Sequence, residues 1–455
     1  MNGRGLKSVM IRFRVCAVVL AAMAAGCGGG GGGGGPTSDC GTDTGTGCAP
    51  QSQRIDKYQP VFSNPLAVTN PLNPIANLAT AVFLGSVDGN PFRSETTLLP
   101  GTRVITVNGV ATETLQSQYM AFSDGRLAEI ATNWYAQDDM GAAWYFGDDV
   151  AEYDETGLVI STDGTWLAGR DSAPPAMIMG PAPAVDQVWL AENVAPIAWG
   201  EITVSGINVS VDGPSGPITG AIRTSELQMD GTREEKVFAP GYGEFRTGTL
   251  AAQNLEALAL AIPRDSLPGP PPAELDTLAN GTADIFDAAG QANWTAADAA
   301  LASVAGAWNT FQAGEVPPLL KSEMIQLLAL LTPGVAARDS AEAREQAIAV
   351  ARIVFDLRLR HLPPSEINQV RFDLWLAQIQ VDAADALDFA GPVKGDVATL
   401  KLVLDRFRHT VDPTLLAALD TGLADLQAAA TAEDATAAAT IAGQLRASLV
   451  GIGWR

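Results

Sequence analysis

Carboxylates, an amide and an imidazole occur with helical spacing near the C-terminal end of this sequence. Gln378, Asp382 and Asp385 follow at intervals of four and three residues, so a helix would place them on one face. Asp405 and His409 are four residues apart on the next predicted helix. Facing helices could combine these side chains into a divalent-metal site, as carboxylate-lined bundles do. The Glu-x-x-His pairs of di-iron bundles are absent, and this absence favours a structural role for these residues. In that interpretation, Asp405 pairs with His409 or an arginine. Asp382 then faces solvent or caps a neighbouring helix.

A second group of residues that could bind a ligand lies in residues 133–149, which carry aromatic side chains and two pairs of aspartates. The segment predicts a hairpin with an acidic tip. In one interpretation, Trp134 and Trp144 belong to the core face of a sheet, because aromatic residues favour strands and cross-strand pairs. In the other, they line a cleft rimmed by Asp138 and Asp148 that binds an organic molecule or, through the aspartate oxygens, Ca²⁺. The spacing is not that of an EF-hand loop, and the core interpretation is favoured.

Motifs of common enzymes are absent from the sequence. No G-x-S-x-G, H-E-x-x-H or phosphate-binding loop occurs, and the run of eight glycines at residues 28–35 lacks the Lys and Ser or Thr of such a loop. The chain has two histidines, which limits imidazole chemistry, and no C-x-x-C-H for covalent haem attachment. The sequence therefore predicts no cofactor and favours a protein that is not an enzyme.

The charge balance limits the class of partner. The sequence contains 51 acidic and 28 basic residues, for a net charge of −23. Removal of residues 1–26 takes away four basic residues and no acidic one, which changes the net charge to −27. An acidic chain of this kind repels phosphate backbones, so nucleic acid is not an expected partner.

Residues 57–263 have the pattern of an antiparallel β-domain. Short apolar or alternating runs are separated by Asp-Gly and Asn-Gly pairs, such as Asn108-Gly109, which favour tight hairpins. No segment with helical periodicity lies between these runs. The pattern predicts a sheet that curls into a half-barrel or forms a sandwich.

Residues 264–272 are rich in proline and mark a domain boundary, because proline breaks helices and central strands. Beyond them, residues 273–449 change to a period of 3.6 and predict an all-α helical bundle. A capping-box-like opening at Thr295 and prolines 318, 364 and 413 signal helix starts. The predicted helices are 273–290, 295–313, 317–331, 340–360, 364–390, 396–410, 413–430 and 433–449. We expect the two halves to fold as separable domains of an α+β protein.

A weak internal repeat occurs within the helical half. Residues 283–289 align with residues 424–430 at an offset of 141, and residues 295–297 align with residues 436–438 at the same offset. Alanine-rich helices align easily with one another. Duplication and chance therefore both remain open as explanations.

The N-terminus has the features of an export signal. Residues 1–26 contain four basic residues and an apolar run too short to span a membrane, and they end at Ala24-Ala25-Gly26 before Cys27. This ending resembles the lipobox of bacterial lipoproteins, with Ala24 where Leu is usual. The resemblance implies cleavage before Cys27 and a lipid on its thiol; the alternative is an ordinary cleaved signal that ends near a cysteine.

Residues 27–56 are predicted to be a glycine-rich flexible tether between the lipid and the folded domain. Within it, Cys40 and Cys48 enclose seven residues, a spacing that allows a disulfide in an exported protein. Free thiols and half of a zinc site are the alternatives. Because so small a loop removes little chain entropy, this disulfide would constrain the tether locally and would not stabilise a folded core. Gly28 stands where an inner-membrane retention signal would have Asp, which favours the outer membrane if the cell has two.

Two longer resemblances extend over the folded halves. The motifs WYAQD at Trp134, WYFG at Trp144, G-x-W-x-AG around Trp166 and FAPGYG from Phe238 resemble a family of uncharacterised exported bacterial proteins, over about residues 100–246. The segment from Leu362-Pro363-Pro364 through Arg371 and Trp375 to Asp405-Arg406 and His409 looks like helical domains of other bacterial exported proteins, over about residues 270–449. Neither resemblance implies an activity.

Taken together, these features predict a membrane-anchored exported lipoprotein of the cell envelope or periplasm that acts as a non-enzymatic binding or scaffolding module. Its expected partners are the membrane, through the lipid anchor, and envelope proteins or a small ligand. The alternative is a metal-dependent periplasmic carrier or enzyme that uses carboxylates of the helical half.

Overall fold

The computed structural model of the chain describes residues 40–154, 156–249, 254–384, 390–449 and 451–454. Within these ranges, fourteen strands precede eight helices. The predicted order, an antiparallel β-domain followed by an all-α domain, is therefore confirmed. The predicted signal peptide, Cys27 and the glycine run lie outside the described residues, and so does Asp385.

The strands are β1 (Thr80–Val87), β2 (Asn90–Val107), β3 (Val110–Ser123), β4 (Arg126–Gln137), β5 (Ala143–Tyr153), β6 (Val159–Ser161), β7 (Trp166–Leu167), β8 (Ala176–Met179), β9 (Val188–Val194), β10 (Ala198–Gly213), β11 (Gly216–Gln228), β12 (Arg233–Ala239), β13 (Gly243–Thr249) and β14 (Asn254–Ile262). The helices are α1 (Ala273–Gly290), α2 (Trp294–Phe311), α3 (Pro318–Ala336), α4 (Ser340–Arg358), α5 (Pro364–Asp382), α6 (Ala390–Phe407), α7 (Pro413–Thr431) and α8 (Ala435–Ser448).

Tight turns connect the long strands at the dipeptides that the sequence analysis identified. Asp88-Gly89 joins β1 to β2, and Asn108-Gly109 joins β2 to β3. All four residues have positive φ angles, between 47° and 83°. This is the backbone of a type I′ turn, whose twist matches that of the flanking strands.

The strands form one sheet in which the first and last strands are neighbours. The order is β6-β5-β4-β3-β2-β1-β14-β13-β12-β11-β10-β9, with β7 and β8 paired to β5. Strand β1 pairs antiparallel with β14, beginning with Thr80 opposite Ile262. Residues from both ends of the sheet share a hydrophobic cluster, including Tyr145 on β5, Trp189 on β9 and Phe238 on β12. The sheet therefore curls around an interior, as in the half-barrel alternative, and does not form a two-sheet sandwich.

The two faces of the sheet have different neighbours. Successive residues of a strand point to opposite faces. In β1, Phe83 packs among residues of the β-domain, whereas Val82 and Leu84 pack among residues of the helices. On β2, Arg93 lies opposite Leu84 and Glu95 lies opposite Val82, so both charged side chains are directed to the helices. The inner face encloses the interior of the sheet, and the outer face carries the helical half.

The helices begin largely where the sequence signals place them. Pro318, Pro364 and Pro413 are the first residues of α3, α5 and α7. An N–H at this position would have no hydrogen-bond partner within the helix, so its absence in proline costs little. The predicted cap at Thr295 is wrong by two residues. Asn293 is the N-cap of α2, and its side chain accepts a hydrogen bond from the amide of Ala296 at 3.4 Å. Asparagine is a stronger N-cap residue than threonine, which explains the shift.

The repeat at an offset of 141 corresponds to similar helical hairpins, α1–α2 and α7–α8. The N-caps of α2 and α8, Asn293 and Asp434, are 141 residues apart, and each follows a residue with a φ of 54°. A Cβ atom on Gly281 would lie 2.6 Å from Val304, and one on the corresponding Gly422 would lie 2.4 Å from the corresponding Leu445. Matching caps and matching close contacts favour duplication over chance alignment.

The two halves share hydrophobic cores, contrary to the expectation of separable domains. One cluster combines Val82 and Leu260 of the sheet with residues of α1 to α5. Another combines Phe122 of β3 with Trp375 of α5, whose rings stack at 5.5 Å. The proline-rich residues 264–272 lie between the end of β14 and the start of α1. They mark a change of secondary structure within a shared core rather than a border between independent domains.

The end of the predicted tether is part of the folded β-domain. Cys40 and Cys48 form a disulfide bond and pack beside Leu190, Trp199 and other buried residues. The amide of Asp43 donates to the carbonyl of Met229 at 2.8 Å, and that of Ile55 donates to Val188 at 2.9 Å. The predicted boundary between the tether and the β-domain, at residue 56, therefore lies too far along the chain. The disulfide loop packs on buried residues of the β-domain and is not part of a free linker. Sequence composition alone gave no sign of this docking.

Candidate functional site

The aromatic hairpin of residues 133–149 lies in the core of the β-domain. Trp134 and Trp144 are 5% and 3% exposed and belong to one hydrophobic cluster. The carboxylate of Asp138 accepts hydrogen bonds from the amides of Met140 and Ala142, at 3.0 and 2.9 Å, and from the indole N–H of Trp144 at 2.9 Å. Asp138 thus holds the turn and the tryptophan in place. This arrangement agrees with the core interpretation.

Asp148 belongs to a group of acidic residues on the inner face of the sheet. It is 1% exposed, and burial, followed by the nearby charge of Glu192, raises its pKa well above the usual range. Further along this face, burial raises the pKa of Glu256 to about 8 and that of Glu234 to about 7. Lys236 forms a buried ion pair with Glu226 on the same face, with the two side-chain atoms 2.7 Å apart. The interior of the sheet therefore contains buried acidic groups beside its hydrophobic clusters.

Asp382 is buried in the contact between the two halves, which corrects the expectation that it faces solvent or caps a neighbour. Its carboxylate accepts hydrogen bonds from the guanidinium of Arg126 at the start of β4, one of them at 3.0 Å, and from Gln378 at 3.2 Å. Asp396 of α6 lies beside it, 3.7 Å from the same guanidinium. Burial, and then the charge of Asp382, raise the pKa of Asp396 well above its usual range. The raised pKa of Asp396 therefore favours its protonated form beside the carboxylate of Asp382.

Asp405 and His409 have contacts unrelated to those of Asp382. Asp405 is an exposed residue of α6 that pairs with Arg408 at 3.3 Å, which is one of the alternatives that the sequence left open. His409 lies in the exposed turn after α6. Within the described ranges, no group of three His, Cys, Asp or Glu side chains is arranged to hold a metal ion. The described candidate ligands are not brought together.

A buried group of five charged side chains joins the sheet to the helices. We call it the sheet–helix ion network; it consists of Arg93 and Glu95 on β2, Asp356 on α4, Arg371 on α5 and Arg406 on α6. Arg93 bridges Glu95 and Asp356 with contacts of 2.6 Å to each carboxylate. Arg371 makes the same bridge at 3.2 and 2.8 Å. Arg406 also donates to the carboxylate of Glu95.

The sheet–helix ion network contains three guanidiniums and two carboxylates. Burial alone would raise the pKa of Glu95, but the charges of Arg371, Arg93 and Arg406 outweigh it and hold this pKa well below the usual value of 4.5. The sequence analysis did not identify these residues. Their one local signal is that Arg93 and Glu95 are two residues apart in a strand and so share a face. Their partners are more than 250 residues away in sequence.

A cavity of about 240 Å³ lies next to this network, between the sheet and the helices. We call it the interface cavity. Ends of β1 to β3 and the β3–β4 turn form one wall, and α3 to α6 form the other. Its largest apolar lining residues are Leu84, Phe92, Phe122, Leu327, Leu330, Ile353, Leu374 and Trp375. Its charged and amide lining residues are Arg93, Glu95, Asp124, Glu323, Glu345, Gln346, Arg352 and Arg371.

Arg352 of α4 differs from the other guanidiniums of the interface cavity. It stacks on the ring of Trp375 at 4.4 Å and donates to Gln378 at 3.4 Å. Among the described residues, no carboxylate lies within 4.0 Å of it. Burial lowers its pKa, and the charge of Arg93 adds to this effect while Glu345 opposes it. Arg352 therefore presents a positive charge with unused hydrogen-bonding capacity to the cavity.

A second cavity, of about 140 Å³, lies inside the curled sheet. We call it the inner cavity. It is lined by aromatic rings, among them Tyr119 and Tyr135, and by the buried pair of Glu226 and Lys236. None of the four residues proposed for the hairpin cleft lines either cavity. The sequence analysis predicted neither cavity, because both depend on how distant elements pack.

Helix α3 forms an apolar rim of the interface cavity. In the part of the chain that the structure covers, it is the one helix long and apolar enough to cross a membrane, with 28% of its most apolar window buried. Leu330 lines the cavity and is 50% exposed, and Ile325 on the same helix is 49% exposed. The cavity therefore meets the surface beside apolar side chains.

No model of a known protein family matches this chain, and a comparison with curated proteins finds no significant match.

Proposed function

We propose that this chain is an exported protein, held at a bacterial membrane by a lipid on Cys27, that binds a small molecule in the interface cavity without changing it chemically. The interface cavity is the observation that carries this proposal. Its volume of about 240 Å³ exceeds the roughly 150 Å³ of an engineered apolar cavity that binds benzene. Apolar walls with a few convergent polar groups are typical of small-molecule sites.

The residues around the interface cavity favour binding over covalent catalysis. Among the residues that line it there is no Ser, Thr, Cys, Tyr, Lys or His. Two of its arginines, Arg93 and Arg371, are held in ion pairs with Glu95 and Asp356. The hydroxyl, thiol and amine nucleophiles of covalent catalysis are therefore missing from this wall. A metal-dependent function has no supporting group of ligands in the described ranges.

Filling the interface cavity tests the binding function. The neutral fluorescent probe N-phenyl-1-naphthylamine should bind the mature protein with a rise in fluorescence at a stoichiometry of one. Ala349 of α4 lines the cavity, so Ala349→Trp should abolish this signal by occupying the space. Ala341 is an exposed residue of the same helix, and Ala341→Trp is the matched control that should bind normally. Equal probe binding by both variants, or none by the unaltered protein, would refute the site.

The anchor is tested separately. Cys27→Ser should move the full-length protein from the detergent phase to the aqueous phase in phase partitioning, because the thiol that accepts the lipid is gone. Retention of the variant in the detergent phase would mean that another feature attaches the protein.

A further inference from the structure

We propose that the ligand of the interface cavity is an anionic amphiphile, a small molecule with a carboxylate at one end and an apolar chain or ring. This inference rests on the proposed binding function and specifies the chemistry of its ligand. Three features of the cavity and its surroundings support it: an adjoining ion network with more guanidiniums than carboxylates, a guanidinium without an ion-pair partner that faces the cavity, and an apolar surface that continues to the rim.

The distribution of charge along the wall, rather than its sum, favours an anion beside Arg352. The lining carries Arg93, Arg352 and Arg371 together with the carboxylates of Glu95, Asp124, Glu323 and Glu345. The sheet–helix ion network has three guanidiniums against two carboxylates, and among the described residues no carboxylate lies within 4.0 Å of Arg352. Burial lowers the pKa of both Arg406 and Arg352, and positively charged neighbours contribute to the shift in each. A bound anion would relieve this repulsion, whereas a bound cation would increase it.

Arg352 provides the contact for the anionic group. Its guanidinium is fixed against the ring of Trp375 at 4.4 Å, and one terminal nitrogen approaches the open backbone of the β3–β4 turn, 3.8 Å from where a Cβ on Gly125 would lie. A planar guanidinium can donate two parallel hydrogen bonds to a carboxylate. Its stacked position means that little side-chain freedom is lost on binding.

The remaining wall accommodates the apolar part of the ligand. Phe122, Leu374 and Trp375 form the surface beside Arg352, and Leu327 and Leu330 continue it along α3 to the rim. Half of the Leu330 side chain is exposed, so the entrance itself is apolar. A ligand with its carboxylate at Arg352 would therefore bury a chain or ring along the leucines.

Three ligands of equal chain length test the charge preference: octanoate, octanol and octylammonium. Each competes with N-phenyl-1-naphthylamine for the unaltered mature protein. We expect octanoate to displace the probe at a concentration about 10- to 100-fold lower than octanol, the range given by hydrogen bonds to a charged group. Octylammonium should be the weakest competitor. If octanol or octylammonium binds as well as octanoate, the inference is wrong while the binding function stands.

Variants of Arg352 test its role in contact with the ligand. Arg352→Gln should weaken octanoate about tenfold or more and leave octanol unchanged, and Arg352→Lys should retain part of the preference because it keeps the charge. The matched control, Arg223→Gln, removes a guanidinium from an exposed pair on β11 and should change neither. Equal weakening of octanoate and octanol by Arg352→Gln would show a purely structural role and overturn the inference. Failure of the probe itself to bind would instead refute the proposed function.

Discussion

Replacement of Glu95 by Gln should be among the most damaging single changes in the sheet–helix ion network. Glu95 is 5% exposed and accepts from Arg93, Arg371 and Arg406, at distances of 2.6, 3.2 and 2.5 Å. Glutamine keeps the shape of the side chain but removes its charge, which leaves three buried guanidiniums with Asp356 as their only carboxylate in the network. Breaking a buried ion pair by removing one partner costs about 3–5 kcal/mol. We expect a loss of that size in the free energy of unfolding.

The assay is urea denaturation followed by tryptophan fluorescence and by circular dichroism at 222 nm. Because the network joins the sheet to the helices, both signals should shift to lower urea concentration together. Glu235→Gln is the control, since Glu235 pairs with Arg223 and Arg246 at the surface, and such exposed pairs contribute about 0–1 kcal/mol. A loss below about 1 kcal/mol in Glu95→Gln would refute the reasoning that the network holds the halves together.

Acidification should act on the same carboxylate. The pKa of Glu95 lies well below 4.5 in the folded protein, so its stabilising effect is complete above pH 4.5 and is lost as the pH falls through the lower folded value. The urea midpoint of the unaltered protein should therefore decrease on acidification below pH 4.5. Glu95→Gln should show less of this decrease.

Three further predictions concern the rest of the fold. Burial raises the pKa of Glu256 to about 8, so the folded state holds this proton more tightly than the unfolded chain does. The urea midpoint should therefore fall as the pH rises from 4.5 towards 8. Glu256→Gln should reduce this dependence of the urea midpoint on pH. Gly422→Ala should destabilise the protein by about 1–3 kcal/mol, because the added methyl group would lie too close to Leu445. Gly306→Ala has open space around it and should stabilise the protein by up to about 1 kcal/mol. Thermal melts measure both effects. Residues 264–455 expressed alone should lack a cooperative thermal transition, because their apolar and ionic contacts with the sheet are missing; a sharp transition would contradict the shared core.

The sequence predicted those features that depend on neighbouring residues. Asn108-Gly109 specifies a hairpin because both positions need positive φ, and Pro318 starts a helix because its missing N–H has no cost there. The order of a β-domain and helices followed from the change of period at the proline-rich segment. These local rules hold wherever the residues lie in the finished fold.

The candidate site could not be predicted in the same way, because its residues are distant in sequence. Asp382 was identified as a polar residue on a helix face, but its partner Arg126 is 256 positions away. Arg352 carries no local signal, because its neighbours in sequence do not reveal that the described residues place no carboxylate within 4.0 Å of it. The spacing of Asp405 and His409 allowed a shared helix face, yet that face proved to be exposed. Spacing places residues on a face, and only packing decides what the face meets.

Diffraction from crystals of the mature protein with 8-bromooctanoate would test the central claim most directly. Anomalous scattering locates the bromine independently of the rest of the ligand. We predict one bromine peak beside Leu327 and Leu330, with the carboxylate density at the guanidinium of Arg352. A bromine peak in the inner cavity, at the surface alone or nowhere would contradict the assignment of the interface cavity as the binding site.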